Sequence, residues 1–113
     1  MAQDDGLPYA VAHVETVIES ADLQVRLFTL AAGQTIPWHF HSNVADAFIG
    51  VDGVTVVETR APRARHELHK GEHVVVPPHT AHQVSGKDGA PCRFALTQGI
   101  GSYDFVPIGP KPA

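Results

Sequence analysis

Residues Gly33–Gly53, GQTIPWHFHSNVADAFIGVDG, decide how the rest of the chain is read. Two histidines, His39 and His41, are followed by a carboxylate at Asp46 and an apolar run that ends in Asp52-Gly53. The spacing is G-x5-H-x-H-x4-D-x6-G. In an extended chain, residues two apart project from the same face, about 6.6 Å apart along the strand. His39 and His41 can therefore both aim into a closed sheet, while Trp38 and Phe40 pack outside it or at a dimer face. Phe48 has the parity of Asp46 and is expected to line the same interior. Asp-Gly tolerates positive φ at both positions and predicts a tight hairpin between Ala45–Val51 and Val54–Arg60. A second histidine-bearing segment, Gly71–His82 (GEHVVVPPHTAH), has the spacing G-x5-P-x4-H.

Outward from these segments the sequence keeps the composition of strands. Ala10–Ser20 and Leu23–Ala31 are rich in Val, Leu, Ile and Thr with partial alternation, and Ala21-Asp22 connects them. His73–Pro77, His82–Ser85 and Arg93–Gln98 follow, separated by Pro-Pro and Lys-Asp-Gly-Ala-Pro breaks. No helical period is sustained, so short strands at spacings near ten residues predict an all-β sandwich or barrel. Thr59–Lys70 (TRAPRARHELHK) reads as a basic loop, either a solvated hairpin connection or an anion-binding rim, and Pro107–Ala113 (PIGPKPA) as a peripheral tail that hangs loose or lies along the surface. Phe94, Leu96 and Gln98 share one face of the last long strand, so Gln98 offers a polar contact if that face is internal.

Composition bounds the function. With 113 residues, 43% of them hydrophobic, the chain can bury one real core, and a single domain over 1–113 is expected, with 1–9 as an N-terminal extension. A formal charge of −4 gives no support to nucleic-acid binding through phosphate neutralisation. One cysteine, Cys92, excludes an intrachain disulfide and a thiolate zinc cluster, and reads as a small buried residue. No apolar run approaches the roughly 18 residues of a membrane span, and the acidic start MAQDDG is unlike a signal peptide. A cytoplasmic protein with no membrane or nucleic-acid partner is the expectation. The compositional oddity is eight histidines.

Together the two spacings resemble the paired signature motifs of the cupin superfamily, over Gly33–Ser85. The resemblance implies a double-stranded β-helix, a squat antiparallel barrel of jelly-roll type with little or no helix. Carried across residue by residue, it places metal ligands at His39, His41, Asp46 and His82. Three neutral imidazoles and one carboxylate suit one divalent transition metal (Fe, Mn, Ni, Co, Cu or Zn) rather than Ca or Mg. Such a set leaves coordination positions open for water or substrate. The chain departs from the pattern at three places. Asp46 replaces the usual glutamate, and either coordinates, acts through water, or leaves a three-histidine centre. His79 stands where glycine is expected after Pro77-Pro78, and Gly86 where asparagine is expected.

His79, three residues before His82, is an exposed turn residue or a contact to substrate. Glu58 shares parity with Val56 and is the remaining candidate base. Phe48, Glu58, His79 and Gln98 thus form the substrate-contact set, while His13, His66, His69 and His73 fit no ligand spacing. The resemblance implies a small-molecule metalloenzyme, of dioxygenase type on a diketone, phenol or similar oxygen-bearing substrate. Its alternatives are a metal-dependent isomerase, decarboxylase or lyase, or a non-catalytic binding or sensing module. A homodimer is expected from the need to cover sheet edges.

Overall fold

The computed structural model describes residues 7–108. Among them ten strands form: β1 (His13–Ser20), β2 (Leu23–Leu30), β3 (Thr35–Phe40), β4 (Ala45–Asp52), β5 (Thr55–Arg60), β6 (Arg63–Leu68), β7 (His73–Val76), β8 (His82–Gly86), β9 (Cys92–Gly99) and β10 (Val106–Pro107). The one helical element among the described residues is a 3-10 turn, Lys87–Gly89. Two five-stranded sheets result, in the orders β1-β2-β9-β4-β7 and β10-β3-β8-β5-β6. All strand pairs are antiparallel. This is the expected all-β, double-stranded β-helix architecture.

Alternation along the strands sets the interior. On β9, Cys92, Phe94, Leu96 and Gln98 are buried while their neighbours are half-exposed; β2 buries Arg26, Phe28 and Leu30 in the same way. The apolar core holds Phe28, Leu30, Ile36, Phe48, Val57, Val76, Val84, Phe94 and Leu96. Phe28 and Phe94 are directly paired across β2 and β9 and stack with centroids 5.3 Å apart. Each inward row then turns polar toward one end of the barrel. Leu30 and Phe28 give way to Arg26, Leu96 to Gln98, Phe48 to Asp46, and Val84 to His82. Antiparallel register gathers these ends, because Asp46 pairs with Gln98 and His39 with His82.

A bulge in β3 completes the polar end. Ile36 pairs with Val84 and His39 with His82, so three steps along β3 match two along β8. The extra residue lets Ile36 and His39, three apart, both face inward, as bulges beside functional sites commonly do. Pro37, which has no N–H to offer a ladder, sits in the interrupted stretch.

Two expectations are corrected, and the start of the tail is located. Asp52-Gly53 is a tight turn, with Gly53 at φ +69, but joins no hairpin. It carries the chain from one sheet to the other, because β4 pairs with β7 and β9 while β5 pairs with β6 and β8. Within the supposed basic loop, Arg63–Leu68 is β6, the edge strand of the second sheet. Two of its charges are outward and paired: Arg65 meets Glu67 at 3.1 Å, and Glu67 also meets Lys87 at 3.2 Å. Charged side chains on an edge also discourage pairing with another chain. The tail begins as β10, where Val106 and Pro107 pair with Phe40 and His39, and the Ile108 N–H donates to the Trp38 carbonyl. Residues 109–113 of that tail lie outside the described residues.

Candidate metal centre

His39, His41, Asp46 and His82 converge at the polar end of the barrel, each at most 3% exposed. His39 comes from the bulged end of β3, His41 from just beyond it, Asp46 from the start of β4 and His82 from the start of β8. One ligand atom from each lies within 4.8 Å of the others, so the four could hold a metal ion. Donors about 2.2 Å from one ion span at most roughly 4.4 Å, close to the spread observed.

The hydrogen bonds behind the rings supply an independent test of that fit. His39 Nδ1 donates to the Pro37 carbonyl at 2.7 Å, His82 Nδ1 to the Thr80 carbonyl at 2.8 Å, and His41 Nδ1 to the Asp104 carbonyl. A carbonyl only accepts, so each Nδ1 carries the hydrogen and each neutral ring turns a bare Nε2 lone pair inward. Asp46 Oδ2 lies 3.0 Å from His41 Nε2 and 2.9 Å from His82 Nε2. Lone pairs therefore face a carboxylate oxygen in a place without bulk water. Such an arrangement calls for positive charge among them, a proton or a metal ion. The donor set and its orientation fit a transition-metal ion.

The electrostatics point the same way. Burial disfavours the Asp46 carboxylate, but in the absence of a metal a proton on His41 or His82 Nε2 donates to it, and these hydrogen bonds outweigh burial and hold the group well below the usual carboxylate range. Burial likewise opposes charge on His41, yet the Asp46 hydrogen bond and charge raise its pKa above the ordinary value. Burial, then the neighbouring His82, push His39 down to about 3.

These directions set the pH dependence of the metal-free protein. A group whose pKa is lower folded than unfolded takes up its proton more readily on unfolding. His39 therefore withdraws stability as pH falls from about 6.5 toward 3, with a slope approaching about 1.4 kcal/mol per pH unit. Asp46 adds to this loss below about pH 4, in the same sense. His41 acts oppositely: its contribution is complete below about pH 6.5 and is lost as pH rises through its raised folded value. Urea unfolding of chelator-treated protein is expected to show stability falling between about pH 6 and pH 4, with His39→Gln flattening that fall. An unchanged slope in the variant would place the buried neutral imidazole elsewhere.

The remaining sequence candidates separate. Phe48 is buried, its ring 6.0 Å from that of His82. Gln98 is on the internal face, and its amide donates to Asp46 Oδ1 at 3.0 Å. Glu58 stands on the other face of β5: its neighbour Thr59 pairs with His82, while Glu58 is 3.7 Å from Arg65. His79 is exposed with φ +64, a conformation that favours glycine. Its contribution to the centre is a main-chain one, since its N–H donates to the His41 carbonyl at 2.8 Å. His13, His69 and His73 are exposed and His66 is half-exposed, all outside the cluster. Trp38 lies outside with the Arg60 guanidinium 4.3 Å from its ring centroid. Cys92 is buried, and burial pushes its thiol pKa up.

Four neighbours of the centre escaped the sequence reading. Arg26 donates to the Gln98 carbonyl oxygen, which fixes the amide so that its nitrogen faces Asp46. Phe105 stacks on His39 at 4.2 Å, and Tyr103 lies 5.3 Å from His41. Asp104 holds the His41 ring through its carbonyl and the Ser42 N–H through its carboxylate. Arg26 alone left a signal, its shared parity with Phe28 and Leu30.

Comparisons with known proteins agree with this picture. No match is found among curated proteins. Among solved structures, the chain is similar to a conserved double-stranded beta-helix protein from Klebsiella pneumoniae, at 20% identity and TM-score 0.71 over 84% of this chain and 82% of that one. It is also similar to an RmlC-like cupin protein from Desulfovibrio desulfuricans, at 23% identity and TM-score 0.66 over 88% of each chain. KdgF from Halomonas sp. aligns at 20% identity and TM-score 0.66, over 86% of this chain and 91% of that one. At these identities the likeness concerns the fold. The family model described as Cupin domain matches residues 26–97. That is more than half of the sequence, and the chain belongs to the cupin family.

Proposed function

We propose that the protein binds one divalent transition metal through His39, His41, Asp46 and His82, and acts as a dioxygenase on a small diketone or phenolic substrate. The observation that carries the metal is the convergence of three buried imidazoles with a buried carboxylate, two of them placing Nε2 within 3.0 Å of Asp46 Oδ2. A bound ion would supply Lewis-acid and redox chemistry to an oxygen-bearing substrate. This chain's residues do the rest. Main-chain carbonyls of Pro37, Thr80 and Asp104 hold the three rings in one tautomer. Gln98 takes up one oxygen of Asp46 and leaves the other among the histidines. Phe48 and Phe105 wall the centre with apolar surface and keep bulk water away.

The test is a direct one. Untagged protein is analysed for bound metals by mass spectrometry, then for oxygen uptake with acetylacetone and with catechol. Consumption of oxygen that requires substrate and follows iron or copper content is the expected result. Full metal without oxygen uptake would overturn the dioxygenase reading in favour of an isomerase, lyase or binding module. Absence of metal after reconstitution would overturn the centre itself.

A further inference from the structure

Arg26 orients the Gln98 amide toward Asp46, a task that any neutral donor could perform, so its positive charge is left without a use at the metal centre. It projects from β2 into the barrel and is 8% exposed. A buried guanidinium normally has an acidic partner, because the interior replaces little of its hydration. Among the described residues no carboxylate lies within ion-pair distance of it. Its hydrogen-bond partners are neutral groups, the Gln98 amide and the Tyr103 hydroxyl, and its Nε has no acceptor. The guanidinium carbon lies 5.0 Å from the Phe28 ring centroid and 5.7 Å from that of Tyr103. Those contacts attract the cation without neutralising it.

Arg26 also lines a cavity of about 480 Å³, whose other walls are Leu7, Pro8, Gln24, Tyr103, Phe105 and Pro107. That volume suits a small organic molecule. One wall, Phe105, is the ring stacked on His39, so an occupant of the cavity sits one side chain away from the candidate metal ligands.

We propose that this cavity binds the carboxylate end of a small, flat organic acid, with Arg26 and Tyr103 facing the anion and Leu7, Pro8, Phe105 and Pro107 facing the body. A planar guanidinium matches a planar carboxylate in shape and charge. A single cation among mostly apolar walls suits one negative charge rather than a phosphate dianion. The inference rests on the reading of the centre as a small-molecule site, and narrows its substrate class to acids. A purely structural role for Arg26, orienting the Gln98 amide, would leave the cavity indifferent to ligand charge.

Benzoate and benzamide separate these roles, since they share a shape and differ in charge. Calorimetric titration of metal-free wild-type protein is expected to show benzoate binding about tenfold tighter than benzamide. Arg26→Gln should bring the ratio near one with benzamide binding retained, and Arg26→Lys should restore part of the preference. A ratio near one in wild type, no binding of either compound, or a preference that survives Arg26→Gln would each overturn the proposal. The wild-type ratio decides even if a variant fails to fold. Metal content of the same preparations speaks separately: lost metal with the preference intact removes the centre and leaves the acid site, and the reverse removes only the acid site.

Discussion

His41→Ala is expected to emerge from purification with less than about a tenth of the wild-type metal, whereas His66→Ala keeps its full content. The asymmetry follows from position. His41 puts Nε2 3.0 Å from Asp46 Oδ2 while its Nδ1 is tied to the Asp104 carbonyl, so the ring is held in a binding orientation before any ion arrives. Loss of a partner behind a ligand typically weakens a metal site about 10–100-fold, and loss of the ligand itself should do at least as much. His66 is a half-exposed residue on β6, paired with Val57 at the edge of the second sheet. Metal analysis after dialysis against a weak chelator reads the difference, with circular dichroism to verify that both variants fold. Equal metal in the two would mean that other histidines bind it.

Phe94→Ala should be the most damaging single change to the fold, at about 3–5 kcal/mol. Phe94 is fully buried on the central strand β9, stacked on Phe28 at 5.3 Å and 5.6 Å from Phe48. These rings belong to three neighbouring strands of one sheet, so the deletion opens a void that no single side chain can fill. Against a typical total stability of about 5–15 kcal/mol, the variant should unfold at a much lower urea concentration. A loss below about 1 kcal/mol would show that the three-ring stack is not a principal support of the core.

Parity made much of this molecule legible before its structure. It expected Phe48 to line the interior and Trp38 to pack outside or at a dimer face. It grouped Gln98 with Phe94 and Leu96 without fixing which face is internal, and the two histidine-bearing segments pointed to the family. What parity missed has physical causes. Asp52-Gly53 encodes a turn, but the choice between a hairpin and a crossing to the other sheet depends on partners distant in sequence. β6 was hidden because its outward residues are charged, which masks strand character without preventing strand pairing. Glu58 misled because Val56 and Val57 are both buried, so burial of its parity mate does not identify the inner face. Tyr103 and Phe105 lie in a segment with no periodic pattern, and reach the centre only because β10 docks beside β3.

The bulge between Ile36 and His39 makes the reading frame of β3 a chemical matter. A regular strand of the present length would keep Ile36 in place and turn His39, three residues on, to the outer surface, whereas removing one bulge residue would leave the histidine two residues from Ile36 and still inward. The single extra residue thus decides whether a barrel that pairs equally well carries an intact ligand set or a broken one.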